Sequence, residues 1–341
     1  MRSNWLDHLR VSLENSVPPG SNVARELADL LGVSPEGAYR RLRGQTAFLM
    51  EELILIRETY GISLDALAQD QPSIQVQMHP LFTSELDLMT YLKGLLNDIQ
   101  HQIAQPGARV YCFAADIPFF RLMGHPYICL FKLFYWQKSI LGKESFKHRL
   151  VDRSSLDAEV LNLCQSIYRA YAISSSIEIW NEQTINGTLK QIEYYADCSY
   201  FLNGETLAQS YAELYRLISG VSEQAHRGSK TNHEVEDESY SLWSCELVID
   251  NNSVLIESET TARLAIGFNS FNTIQSSQKH MVDEYKAWMN AMLSKSTQLS
   301  GQSDKHRVQF IQSMFKTIRE SAQNKLSSTD WIIFEKEIQE Q

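Results

Sequence analysis

Arg40, Arg41 and Arg43 lie within seven residues, 39–45, that hold no acid. A guanidinium is a planar fork of donors that fits phosphate oxygens and the paired acceptors of a guanine edge. Just upstream, Ser34 precedes Pro35. A capping hydroxyl followed by the one residue that needs no backbone donor at the first helical position predicts a helix start. Backbone donors near that start, and near Asn22 where an earlier helix begins, can hold phosphate oxygens. The concentrated chemistry is therefore recognition of anions and base edges.

Other reactive constellations are sparse. The chain has no phosphate-binding loop, dinucleotide fingerprint, serine nucleophile elbow or helical zinc-protease motif. Its nine histidines are scattered, and His79 and His125 each precede a proline, which reads as a loop or helix boundary. Five cysteines (Cys112, Cys129, Cys164, Cys198, Cys245) stand far apart in odd number, which suggests reduced, buried thiols in a cytoplasmic protein. His233, Glu234, Glu236, Asp237 and Glu238 fall in a polar loop, 227–239, without helical spacing, so a solvated charge run is expected there. Glu193 and Asp197, one helical turn apart, could face a pocket, but a surface or buried-capping role is the expected one. No metal, cofactor or enzymatic activity is expected. The alternative is a DNA-targeted enzyme or defence-associated effector, which requires His, Asp and Glu to gather in space.

These residues need elements to position them. Trp5, Leu9 and Leu13 recur every four residues and define one face of a first helix. Residues 22–31 form a second helix, ended by Gly32. A third runs from Ser34-Pro35 to about Arg43, stopped by Gly44, and a fourth covers about 48–60 before Gly61. Ser63 caps a short fifth. Ala28 is small enough for a close helix contact, Gly32 makes the turn, Val33 plugs it, and Leu27, Leu31, Ala38 and Leu42 anchor both helices. Two short helices so joined form a helix-turn-helix, whose second helix can enter the major groove.

Residues 22–68 resemble the lambda-repressor/Cro-type (XRE-like) helix-turn-helix in its five-helix form. The resemblance rests on Glu26-Leu27-Ala28, Gly32-Val33-Ser34, Gly44, and Tyr60-Gly61-Ile62-Ser63-Leu64. It implies that the start and exposed face of the third helix read bases, which maps to Pro35, Glu36 and Arg40. Arg40 would pair bidentately with guanine and Glu36 accept from cytosine. Arg41, Arg43 and Gln45 suit phosphates or the groove wall.

Charge tempers this. The chain carries 31 basic and 41 acidic residues, a formal net charge of −10, so it is no charge-driven coat for nucleic acid. Residues 1–70 hold seven arginines, no lysine and ten acids, which is −3. One copy should bind weakly, and a homodimer on double-stranded DNA is expected.

Residues 71–82 read as a linker, although Ile74, Val76 and Met78 alternate as in a strand. Residues 83–341 predict an α+β sensor and dimerisation region, so the fold class is mainly α with a small mixed or antiparallel sheet. Helices are expected at about 84–104, 126–141, 155–172, 183–201, 205–226, 277–295 and 304–325. Strands are expected at 108–115 and 176–180, with a hairpin-like set at 241–250, 253–259 and 262–268 turned first at Asn251-Asn252. Over its length the chain also resembles long helix-turn-helix proteins of Bacteroidota with an uncharacterised C-terminal region. The carrying stretches are Phe113-Ala114-Ala115-Asp116-Ile117-Pro118, Phe131-Lys132-Leu133-Phe134-Tyr135-Trp136, Ser176-Ile177-Glu178-Ile179-Trp180 and Gln191-Ile192-Glu193-Tyr194-Tyr195.

Residues 127–141 are apolar on nearly every face, which predicts a central core helix, with a dimer interface or an aromatic pocket as alternatives. Asp116 follows a buried strand, where α/β sheets often bind ligands. Asp116, Arg121 and Lys132 are therefore the candidate effector-pocket residues, Lys132 as partner for an anion. The N-terminus lacks a signal-peptide pattern, and the most apolar run is too short to span a bilayer.

Overall fold

The computed structural model describes residues 5–17, 21–62, 76–78, 88–231, 239–268, 272–301 and 303–339. It divides into two compact units, Met1–Gln75 and Val76–Gln341.

In the first unit α1 (Trp5–Ser16), α2 (Val23–Leu31), α3 (Pro35–Leu42) and α4 (Met50–Tyr60) surround a small core. Leu9, Leu13, Leu27, Ala28, Ala38 and Ile56 are almost wholly buried in it. Gly32 closes α2 with φ +65°, and its N–H donates to the Ala28 carbonyl. Only glycine adopts that left-handed conformation freely, which is why the chain turns there into α3. Gly61 ends α4 the same way, at φ +66°. The expected fifth helix from Ser63 lies outside the described residues.

The second unit is mainly helical around a mixed sheet. Its elements are β1 (Gln77–Met78), α5 (Leu88–Ile103), β2 (Arg109–Ala114), α6 (Phe119–Leu122), α7 (Pro126–Tyr135), α8 (Ala158–Ala172), β3 (Ser175–Trp180), α9 (Asn186–Asp197) and α10 (Gly204–Arg227). Then follow β4 (Tyr240–Cys245), β5 (Ser253–Glu257), β6 (Ala262–Phe268), β7 (Asn272–Ser276), α11 (Lys279–Leu293), β8 (Ser296–Gln298), α12 (Asp304–Lys325) and α13 (Ser328–Gln339). Among the described residues the sheet has eight strands in the order β1-β7-β6-β5-β2-β3-β4-β8. β2, β3 and β4 are parallel, joined through helices, and the other pairings are antiparallel.

Strand alternation sorts the two faces. Val110 and Cys112 of β2 pack with α5, α7 and α8, while Phe113 of β2 and Ile179 of β3 pack against α11. The residues expected to form a core helix do so: Ile128, Leu130, Phe131, Leu133 and Phe134 of α7 are at most 2% exposed. α7 continues through a π-helical turn, Trp136–Ile140.

The structure corrects the expected hairpin set. β5 and β6 do pair, but β4 does not pair with β5. β4 has β3 on one side and β8 on the other, so residues 246–252 carry the chain past β3 and β2 to the open edge of β2. Asn252 makes a corner there instead of a hairpin turn, its side-chain oxygen accepting the Asp116 N–H and its carbonyl the Gly267 N–H. Within the expected linker, Gln77 and Met78 pair with β7. α13 was not expected from the sequence.

Candidate nucleic-acid interface

α2 and α3 both begin at side-chain caps. The Asn22 side-chain oxygen accepts the Ala24 and Arg25 N–H groups at 3.0 and 3.3 Å. Ser34 Oγ accepts the Gly37 N–H at 3.1 Å. Both side chains therefore cap helices, and each cap occupies backbone donors that were expected to be open to phosphate.

The buried side of α3 is Gly37, Ala38 and Leu42. Its opposite side, Glu36, Tyr39, Arg40 and Arg43, is exposed, as is Gln45 just beyond. These spacings of three and four residues set one continuous stripe along the helix. Arg43 donates to the Tyr39 hydroxyl at 2.8 Å and lies 4.4 Å from that ring's centroid. The Arg40 carbonyl accepts the Gln45 and Thr46 N–H groups, while its guanidinium makes no ion pair or hydrogen bond among the described residues. Tyr39, missed at the sequence level, is 46% exposed and holds the Arg43 guanidinium on the same side of the helix. Its i, i+4 spacing to Arg43 was the available signal.

Arg41 corrects an expectation. It faces α4, where its guanidinium meets the Glu52 carboxylate through two contacts, of 3.0 and 2.8 Å, and donates to the Gly37 carbonyl at 3.3 Å. Both side chains are largely covered, 15% and 12% exposed. Glu52 also accepts the Leu49 N–H, and the Arg41 hydrogen bond holds its carboxyl below the usual value. Arg41 is committed to joining α3 to α4, so it is not a phosphate contact in this structure.

The three expected effector-pocket residues separate. Asp116 and Lys132 meet at 2.9 Å beside a cavity in the second unit, and Lys132 also donates to Thr188 and Gln191 at 2.9 Å. An ammonium has three donors, so Lys132 has none left for an anion. Arg121 is not in the cavity lining and is 3% exposed. It donates to Glu178 on β3 at 2.8 Å and to Gln224 on α10. The Glu178 carboxylate also accepts from the Tyr171 hydroxyl, Trp180 Nε1 at 3.0 Å and the Tyr240 hydroxyl at 3.3 Å. A buried carboxylate draws in the nearest buried cation, which removes Arg121 from any cavity. Nearby Lys230 donates to Ser174 and Ser176, and burial pushes its ammonium well below the usual range.

Glu193 accepts from Ser321 Oγ at 2.6 Å and Asp197 from Lys325, so both tie α9 to α12. His79 and the acidic run 233–238 lie outside the described residues. Among the described residues no three His, Cys, Asp or Glu side chains gather as metal ligands, and no helix is long and apolar enough to cross a membrane.

No curated protein and no solved structure shows a significant match to the chain. A family model does match at the N-terminus: residues 3–90, which contain the capped turn, the exposed stripe of α3 and the whole of α1 to α4, match the BetR domain, a helix-turn-helix-type DNA-binding domain family.

Proposed function

We propose that the chain is a sequence-specific transcriptional regulator that acts in the cytoplasm by binding double-stranded DNA and not by catalysis. The observation that carries this reading is the exposed Glu36–Tyr39–Arg40–Arg43 stripe on a capped helix within the BetR match. Arg40 reads a guanine, Glu36 a cytosine amino group, and Arg43 and Gln45 hold the groove wall or phosphates. The first unit's weak net charge supports pairing of two copies on a two-fold operator with half-sites about one DNA turn apart. The second unit pairs the copies and senses an effector, which changes operator affinity by favouring one spacing of the two heads.

The test is selection of bound genomic DNA fragments at physiological salt, with the parent and with Arg40→Ala. The parent should recover a recurring two-fold motif. Arg40→Ala should relax one position per half-site at a cost of about 1–3 kcal/mol. Random recovery by the parent would sink sequence-specific reading, and an unchanged motif with Arg40→Ala would sink the assignment of that residue.

A further inference from the structure

The second unit contains a cavity of about 410 Å³, within the size range of small-molecule sites. It lies over the β2, β5, β6 and β7 part of the sheet and beneath α5. Val254 of β5 and Ala265 of β6 line it from the sheet, and Tyr91 and Leu95 from α5.

Small residues keep it open. Gly94 lies mid-helix on α5 and in the cavity lining, and a Cβ built there would have no atom within 4 Å. A glycine inside a helix costs about 0.5–1 kcal/mol relative to alanine, so helix stability does not explain it. Empty space does: α5 packs mainly along α8, its backbone approaches the sheet little, and only side chains such as Val254 and Ile256 of β5 reach its cluster. Apolar walls facing a void forgo dispersion contacts that an occupant would restore.

The strand register places the polar groups at two ends. Asp116, Asn252 and Thr273 lie together at the end where β2 finishes and β7 begins. Arg263 and Asp98, 3.6 Å apart, mark the opposite end, where Gln275 accepts from Arg263 at 2.5 Å. Every formal charge in the lining thus has an opposite partner, Asp116 with Lys132 and Asp98 with Arg263. A charged ligand would enter an apolar cleft with no uncompensated countercharge, which is costly.

We propose that this cavity binds an uncharged, predominantly apolar small molecule that lies along the strands and hydrogen-bonds at the Asn252–Thr273 end. Its role as an effector rests on the regulatory reading above. The binding itself does not, so the test reads binding and leaves DNA out.

The probes are N-phenyl-1-naphthylamine, which is neutral, and 8-anilinonaphthalene-1-sulfonate, which adds an anionic group to the same ring system. Each is titrated by fluorescence into the full chain, and into Ala265→Phe and Gly94→Leu, which fill the cavity from opposite sides. The neutral probe should saturate a single site on the parent. Its Kd should rise at least tenfold in both filled variants, with circular dichroism unchanged, and the sulfonate should bind the parent at least tenfold more weakly. Gly94→Leu adds a good helix former and should fold even if Ala265→Phe does not. No saturable binding of the neutral probe, equal binding of the sulfonate, or binding that survives Gly94→Leu would each overturn the proposal.

Discussion

Arg40 and Arg41 are chemically identical neighbours with opposite tasks, and only their direction from α3 separates them. Arg41→Ala should leave the bound DNA motif unchanged and destabilise the first unit by about 1–3 kcal/mol, because it strands the Glu52 carboxylate. Thermal unfolding beside motif selection separates the two effects, and a changed motif with unchanged stability would reverse the assignment. A second residue couples stability to pH. Glu213 on α10 is buried and accepts the Tyr127 and Ile128 N–H groups at the start of α7. Burial pushes its carboxyl from 4.5 up to about 7. The folded state then holds this proton more tightly than the unfolded chain. Its contribution is full below pH 4.5 and lost as pH rises through about 7. Relative to Glu213→Gln, the parent should lose roughly 3 kcal/mol across that window in urea unfolding. Parallel curves would mean that the two backbone donors keep the carboxylate charged in the fold.

At the scale of elements, β3 shows how one polar residue organises a core. Its neighbours Ile177 and Ile179 pack toward α11, while Glu178 points to the opposite, helix-covered face and is fully buried. Arg121 from α6, Tyr171 from α8 and Tyr240 from β4 converge on it. Glu178→Gln removes the charge with little change of shape and leaves Arg121 buried without a counterion. The second unit should lose about 3–5 kcal/mol, and Arg121→Met in addition should restore part of it. A double variant no more stable than the single one would show that the pair acts through its hydrogen bonds alone.

For the whole molecule, the acidic balance sets how DNA can be held. Arg43 beside α3 and Arg25 on α2 are exposed, so with Arg40 on a base each copy would bring about two cations to the phosphates under the proposed reading. The logarithm of affinity should fall against the logarithm of salt concentration with a slope of about −2 for one copy, and nearly twice that for a pair. Titration of the operator at several salt concentrations measures it. A slope near zero would remove phosphate contact, and with it the DNA-reading role of the first unit.

The local chemistry of the first unit was legible in residue order. Capping by Ser34, termination by Gly32 and Gly61, and the apolar face of α1 depend on neighbours within a turn or two. The apolar run of α7 likewise announced a core helix, because no face of it was left for water. Long-range choices were not legible. Whether Arg41 faces DNA or Glu52, whether Arg121 reaches a pocket or Glu178, and whether β4 pairs with β5 or lies between β3 and β8 depend on residues distant in the chain. Each is settled by which buried partner or open strand edge the folded core brings near. The cavity beneath α5 belongs to the same class, since a gap is a property of the packing and Gly94 alone does not reveal it.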